Sequence, residues 1–134
     1  MEVSQDFRSE CSGAMTQVEV LFATTQSAPD LAVDFLLTDT SDHQVIMQQR
    51  IKDIPGKDQV WLSFPFHPLV GTKDHLYRMT LTAPGSSQDN WLALWNTTTN
   101  IYRGGDAIVE GVPTNMDLIF RYTCRMPPLS DWLD

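Results

Sequence analysis

The residues with the clearest capacity for recognition chemistry are aromatic. The chain has four tryptophans: Trp61, Trp91, Trp95 and Trp132. On a strand, where side chains alternate between faces, Trp91 and Trp95 share one face with Ala93, and Leu92 and Leu94 take the other. Both faces are then apolar, whereas a solvated outer face reads polar. One of them belongs to the core. The other is covered by a loop, buried against a partner, or open as an aromatic platform. A flat aromatic surface suits the apolar C–H faces of sugar rings, whose hydroxyls then seek polar groups nearby. The local sequence supplies such groups, which makes Trp91, Trp95, Tyr102, Arg103, Asn100 and Asp89 the candidate ligand-binding set. The competing reading is that these tryptophans fill the core, the commoner fate of any single tryptophan.

Catalytic signatures are missing. The sequence contains no phosphate-binding loop of the Walker type, no dinucleotide-binding glycine fingerprint, no Gly-x-Ser-x-Gly elbow and no His-Glu-x-x-His. Asp106, Glu110 and Asp117 lie close enough in sequence to be considered as paired carboxylates. Their setting among turn signals and strand ends favours a structural role, so no catalytic residue is assigned. Two cysteines are too few for a structural zinc site, and His43, His67 and His75 lack ligand spacing. Asp30, Asp39, Asp42, Asp53 and Asp58 fall in loops able to hold a structural calcium, but without the density of a calcium-binding loop. No cofactor or metal is therefore expected. A net charge of −8 argues against nucleic acid, which demands clustered Lys and Arg, and against docking on anionic membranes.

These groups must be positioned by strands, because the dominant period is two. Val18, Val20 and Phe22 form one apolar row, and Leu31, Val33, Phe35 and Leu37 a second. Val60, Leu62, Phe64 and Phe66 alternate with Trp61, Ser63 and Pro65. Further rows are Tyr77, Met79 and Leu81, then Leu118, Phe120, Tyr122 and Cys124. Turn signals separate the rows, among them Thr40-Ser41-Asp42, Val70-Gly71-Thr72-Lys73-Asp74 and Gly111-Val112-Pro113. About eight to ten short strands in an all-β, antiparallel two-sheet β-sandwich of jelly-roll type are expected. Pro65 and Pro68 place their strand at an edge or at its end. No window has a sustained helical stripe; Asp39 to Ile51 comes nearest to one. Residues 1–126 read as one sandwich domain and 127–134 as a C-terminal tail or linker.

Cys11 and Cys124 lie near opposite ends of the chain. They form a disulfide if the first and last strands are neighbours. The preferred expectation is two reduced, half-buried thiols, since residues Met1 to Ala14 carry no export signal and a cytoplasmic location follows. Without export, the glycosylation pattern Asn96-Thr97-Thr98 reads as coincidence.

The run Tyr77-Arg78-Met79-Thr80-Leu81-Thr82-Ala83-Pro84 is followed by Trp91-Leu92-Ala93-Leu94-Trp95, by Tyr102-Arg103-Gly104-Gly105-Asp106, by Gly111 and by Asp117-Leu118-Ile119-Phe120-Arg121. This order resembles a jelly-roll module found beside bacterial, especially cyanobacterial, glycosyltransferases of polysaccharide assembly. The resemblance implies a non-catalytic, carbohydrate-binding-like accessory domain whose parent protein is a glycosyltransferase. The partners it implies are an oligo- or polysaccharide and a glycosyltransferase domain. The alternative is a structural or protein-interaction module, whose apolar second face docks a partner domain or a second copy.

Overall fold

A computed structural model describes residues 2–24, 32–54, 59–83, 92–94, 96–97, 107–113 and 117–125. Among them there is no helix; the chain forms two antiparallel sheets packed as a β-sandwich. Twelve strands are described: β1 (Glu2–Arg8), β2 (Ala14–Thr24), β3 (Val33–Asp39), β4 (Val45–Ile51), β5 (Val60–Leu69), β6 (Leu76–Thr82), β7 (Leu92–Leu94), β8 (Asn96–Thr97), β9 (Ala107–Val109), β10 (Val112–Pro113), β11 (Asp117–Leu118) and β12 (Phe120–Arg125). The larger sheet has the order β10-β9-β1-β6-β3-β4. The smaller has the order β12-β2-β5, with β7 also paired to β2, and β8 pairs β11. The chain therefore crosses between layers repeatedly. β1 is in the larger sheet, β2 in the smaller, β3 and β4 in the larger again, β5 in the smaller and β6 in the larger.

The period-two rows set which face is inside. Val18, Val20 and Phe22 of β2 are buried, as are Val33, Phe35 and Leu37 of β3, Leu62 and Phe64 of β5, and Tyr77, Met79 and Leu81 of β6. Slipping any of these strands by one residue would expose its apolar row, so burial fixes register. The sheets meet through aromatic contacts. Phe35 stacks on Phe64 across the layers at 4.2 Å between centroids, and Phe7 of β1 lies 5.3 Å from Phe120 and 5.6 Å from Tyr122 of β12.

The Asp39 to Ile51 window, which has no sustained helical stripe, holds the β3–β4 turn and β4, and β4 pairs along β3 from Val33↔Ile51 to Thr38↔Val45. One expectation is corrected. Cys11 and Cys124 are joined in a disulfide rather than kept as thiols, with Cα atoms 5.6 Å apart. β12 runs antiparallel to β2 and sets Cys124 opposite Met15, while the β1–β2 corner brings Cys11 to the same place. The corner is itself anchored. Cys11 N–H donates to Ser9 Oγ at 3.2 Å, Ser9 Oγ and Thr72 Oγ1 share a buried bond of 2.8 Å, and Glu10 N–H donates to the Tyr122 hydroxyl at 3.0 Å. The proline reading holds: β5 closes the described edge of the smaller sheet, with Pro65 facing only Gln17.

Candidate functional site: the outer faces of the sandwich

The residues proposed from sequence, Trp91, Trp95, Tyr102, Arg103, Asn100 and Asp89, lie outside the described residues. The strand between the two tryptophans is placed, however. β7 pairs with the end of β2 in the register Phe22↔Leu94, Ala23↔Ala93 and Thr24↔Leu92. On the other flank of β2, Leu21 is opposite Trp61 of β5. The fold thus brings Trp61 and the backbone of β7 to the same end of the smaller sheet.

Trp61 is 37% exposed, one of few large apolar side chains on the described surface. Its strand turns Leu62 and Phe64 inward, which sends Trp61 and Ser63 outward. The Arg121 guanidinium lies over the indole at 4.0 Å from its centroid. Arg121 also donates to Glu19 from Nε at 3.0 Å and Nη2 at 3.3 Å, and Ser63 Oγ donates to the same carboxylate at 3.1 Å. Gln17 Nε2 donates to Thr123 Oγ1 at 3.2 Å and to Glu19 at 3.4 Å. Three strands, β5, β2 and β12, therefore contribute to one array of aromatic, guanidinium, carboxylate and amide groups. The Arg121 hydrogen bond holds the Glu19 carboxyl below the usual carboxylate range. Desolvation opposes this, and the Ser63 bond and the Arg121 charge add to it. The array sets a partly exposed indole, capped on one face by the Arg121 guanidinium, among a fixed set of donors and acceptors. Trp61 had a signal in sequence, since it occupies the polar phase of an alternating strand. Arg121 and Glu19 had none, being 102 positions apart.

The outer face of the larger sheet is polar. Arg78 of β6 lies between Asp6 of β1 and Thr38 of β3 in register, and donates to both Asp6 oxygens at 2.6 and 3.0 Å. Asp6, Thr38, Thr40, His43 and Arg78 line a cleft of about 200 Å³. The β3–β4 turn forms its rim. There Asp39 Oδ1 accepts from Ser41 N–H and Oγ–H at 2.9 and 2.6 Å, and Asp42 Oδ1 accepts from Gln44 N–H at 2.9 Å. His43 sits in the left-handed region at φ 58°.

The suspected carboxylates have structural partners. Glu110 occupies the exposed β9–β10 turn at φ 48° and accepts the Glu2 N–H at 2.9 Å. Asp117 opens β11, is fully buried, and accepts from Gln5 Nε2 at 3.2 Å. Asp106 lies outside the described residues. Among the described residues no three His, Cys, Asp or Glu side chains are grouped to hold a metal. Asp39 and Asp42 instead serve the turn. No family model matches the chain, and no curated protein matches it.

Proposed function

We propose that the chain is a non-catalytic, carbohydrate-binding-like β-sandwich module serving a glycosyltransferase or polysaccharide-assembly protein. Its glycan surface, on this reading, is the outer face of the smaller sheet around Trp61. The observation that carries the reading is the exposed Trp61 indole with Arg121, Glu19, Ser63 and Gln17 fixed around it. A sugar ring offers an apolar C–H face to an indole and hydroxyls to flanking planar groups. The groups are held by one another in advance, which lowers the entropy cost of binding. Trp91 and Trp95 flank β7 in sequence, and β7 lies on the far side of β2 from Trp61, so they are the candidates to extend the surface. The disulfide supports maturation in an oxidising compartment rather than the cytoplasmic location expected from the N-terminal residues.

Calorimetric titration with a panel of neutral oligosaccharides tests this. Trp61→Ala should lower affinity at least tenfold, about 1.4 kcal/mol, with little change in Tm. Wild-type affinity in Trp61→Ala would move the site elsewhere. The second reading is protein docking, favoured by the same pair, because Trp and Arg are the residue types that anchor protein interfaces. Sedimentation separates the two: a dimer that dissociates on dilution, and in Trp61→Ala, supports docking of a second copy.

A further inference from the structure

We propose that the cleft lined by Asp6, Thr38, Thr40, His43 and Arg78 is a second saccharide site, which makes the domain bivalent, with one site on each outer face of the sandwich. The class of ligand rests on the glycan-binding reading of Trp61; the position and chemistry of the cleft are independent of it.

The cleft is built for hydroxyls rather than ions. Asp6 and Arg78 form a planar, two-bond pair across β1 and β6, so the cleft's strongest charges cancel locally. Carboxylate oxygens have lone pairs beyond those used by Arg78, and the guanidinium has N–H groups beyond the two given to Asp6. The pair therefore presents acceptors beside donors along one edge. A vicinal diol offers the complement, since each hydroxyl both donates and accepts. Thr40 Oγ1 gives its hydrogen to the Leu76 carbonyl at 2.8 Å, and Thr38 Oγ1 gives its own to the Arg78 carbonyl at 3.4 Å. Both threonine oxygens are thereby turned into acceptors, with methyl groups alongside for the C–H surface of a ring. The ring nitrogens of His43 add further polar groups to the lining. The net charge of −8 disfavours an anionic ligand, and the local pairing of Asp6 disfavours a cation, which leaves a neutral polyol. A space of about 200 Å³ suits one sugar ring. The two aspartate-capped bends of the β3–β4 turn hold the rim in place before any ligand arrives.

Amide NMR of the full chain, titrated separately with cellohexaose, maltohexaose and chitohexaose to about 10 mM, tests the proposal. Amides of residues 38–44 and of Arg78 should shift and saturate independently of those around Trp61. His43→Gly removes the imidazole and suits a positive φ, so its fold should be retained while cleft affinity falls about tenfold. Thr38→Val should act in the same direction. If the cleft amides stay still with all three sugars while the Trp61 face responds, the second site is overturned and the Trp61 reading stands. A responding cleft with a silent Trp61 face upholds the second site and overturns Trp61 as the first. Silence at both overturns both. Unchanged cleft affinity in both His43→Gly and Thr38→Val also overturns the second site.

Discussion

Glu19 is the residue on which the smaller sheet's outer face converges, since Arg121, Ser63 and Gln17 all donate to it. Its carboxyl is held below the ordinary range when folded, chiefly by Arg121, so the unfolded chain binds its proton more readily. Stability from this group is fully present above the unfolded pKa of about 4.3 and is lost as pH falls through the folded value. Urea midpoints should drop between about pH 5 and pH 3, and Glu19→Gln should flatten part of that drop. Loss of the carboxylate also frees Arg121, so affinity at the Trp61 face should weaken over the same interval. Tyr77 behaves with the opposite sign. Burial, with smaller contributions from the Asp39 and Asp42 charges, pushes its phenol up to about 12, so stability falls as pH rises above about 10. Trp61 was missed as a site residue in sequence, although an aromatic residue in the polar phase of an alternating strand was a signal for it. The Glu19–Arg121 pair had no such signal, because nothing local marks a contact spanning most of the chain.

Strands were the more readable scale. Alternation in β2, β3, β5 and β6 is strong because one face of each is core, and the apolar rows read from sequence are the buried ones. The pattern fails where tertiary contacts override it. Asp117 lies in the phase that alternation assigns to the outside, yet it is fully buried. The cause is Gln5, a fully buried polar side chain on β1. Gln5 Oε1 accepts the Leu118 N–H at 3.0 Å while its Nε2 donates to Asp117 and to the Asp6 carbonyl. This one amide ties the larger sheet to β11. Gln5→Leu keeps the volume and deletes the buried bonds this amide makes to Asp117, to the Leu118 N–H and to the Asp6 carbonyl. It should cost about 2–4 kcal/mol in urea unfolding, well beyond an ordinary surface change. β4 was illegible for a different reason. Its exposed edge residues, Val45, Gln48 and Arg50, break the clean alternation that marks a half-buried strand.

At the scale of the molecule, the sandwich is closed by a covalent link as well as by packing. The disulfide spans 113 positions, and a loop of that size removes much of the unfolded chain's freedom. Replacing both cysteines by serine should cost about 2–5 kcal/mol, read as a lower Tm and a lower urea midpoint. The pairing of the first and last strands' neighbourhoods was open in sequence, because it depends on which sheet each strand joins. With Cys11 and Cys124 linked, most of the backbone is a ring rather than a line. A ring opened once is still one molecule. A single cut at an exposed position such as Val70–Gly71 leaves β1 to β5 and β6 to β12 tethered through sulfur, each piece still bearing its share of both sheets. The effective concentration of one piece for the other stays that of an intramolecular contact. Peptide-bond hydrolysis at such a position and separation of the pieces therefore become distinct events, and the second also requires reduction.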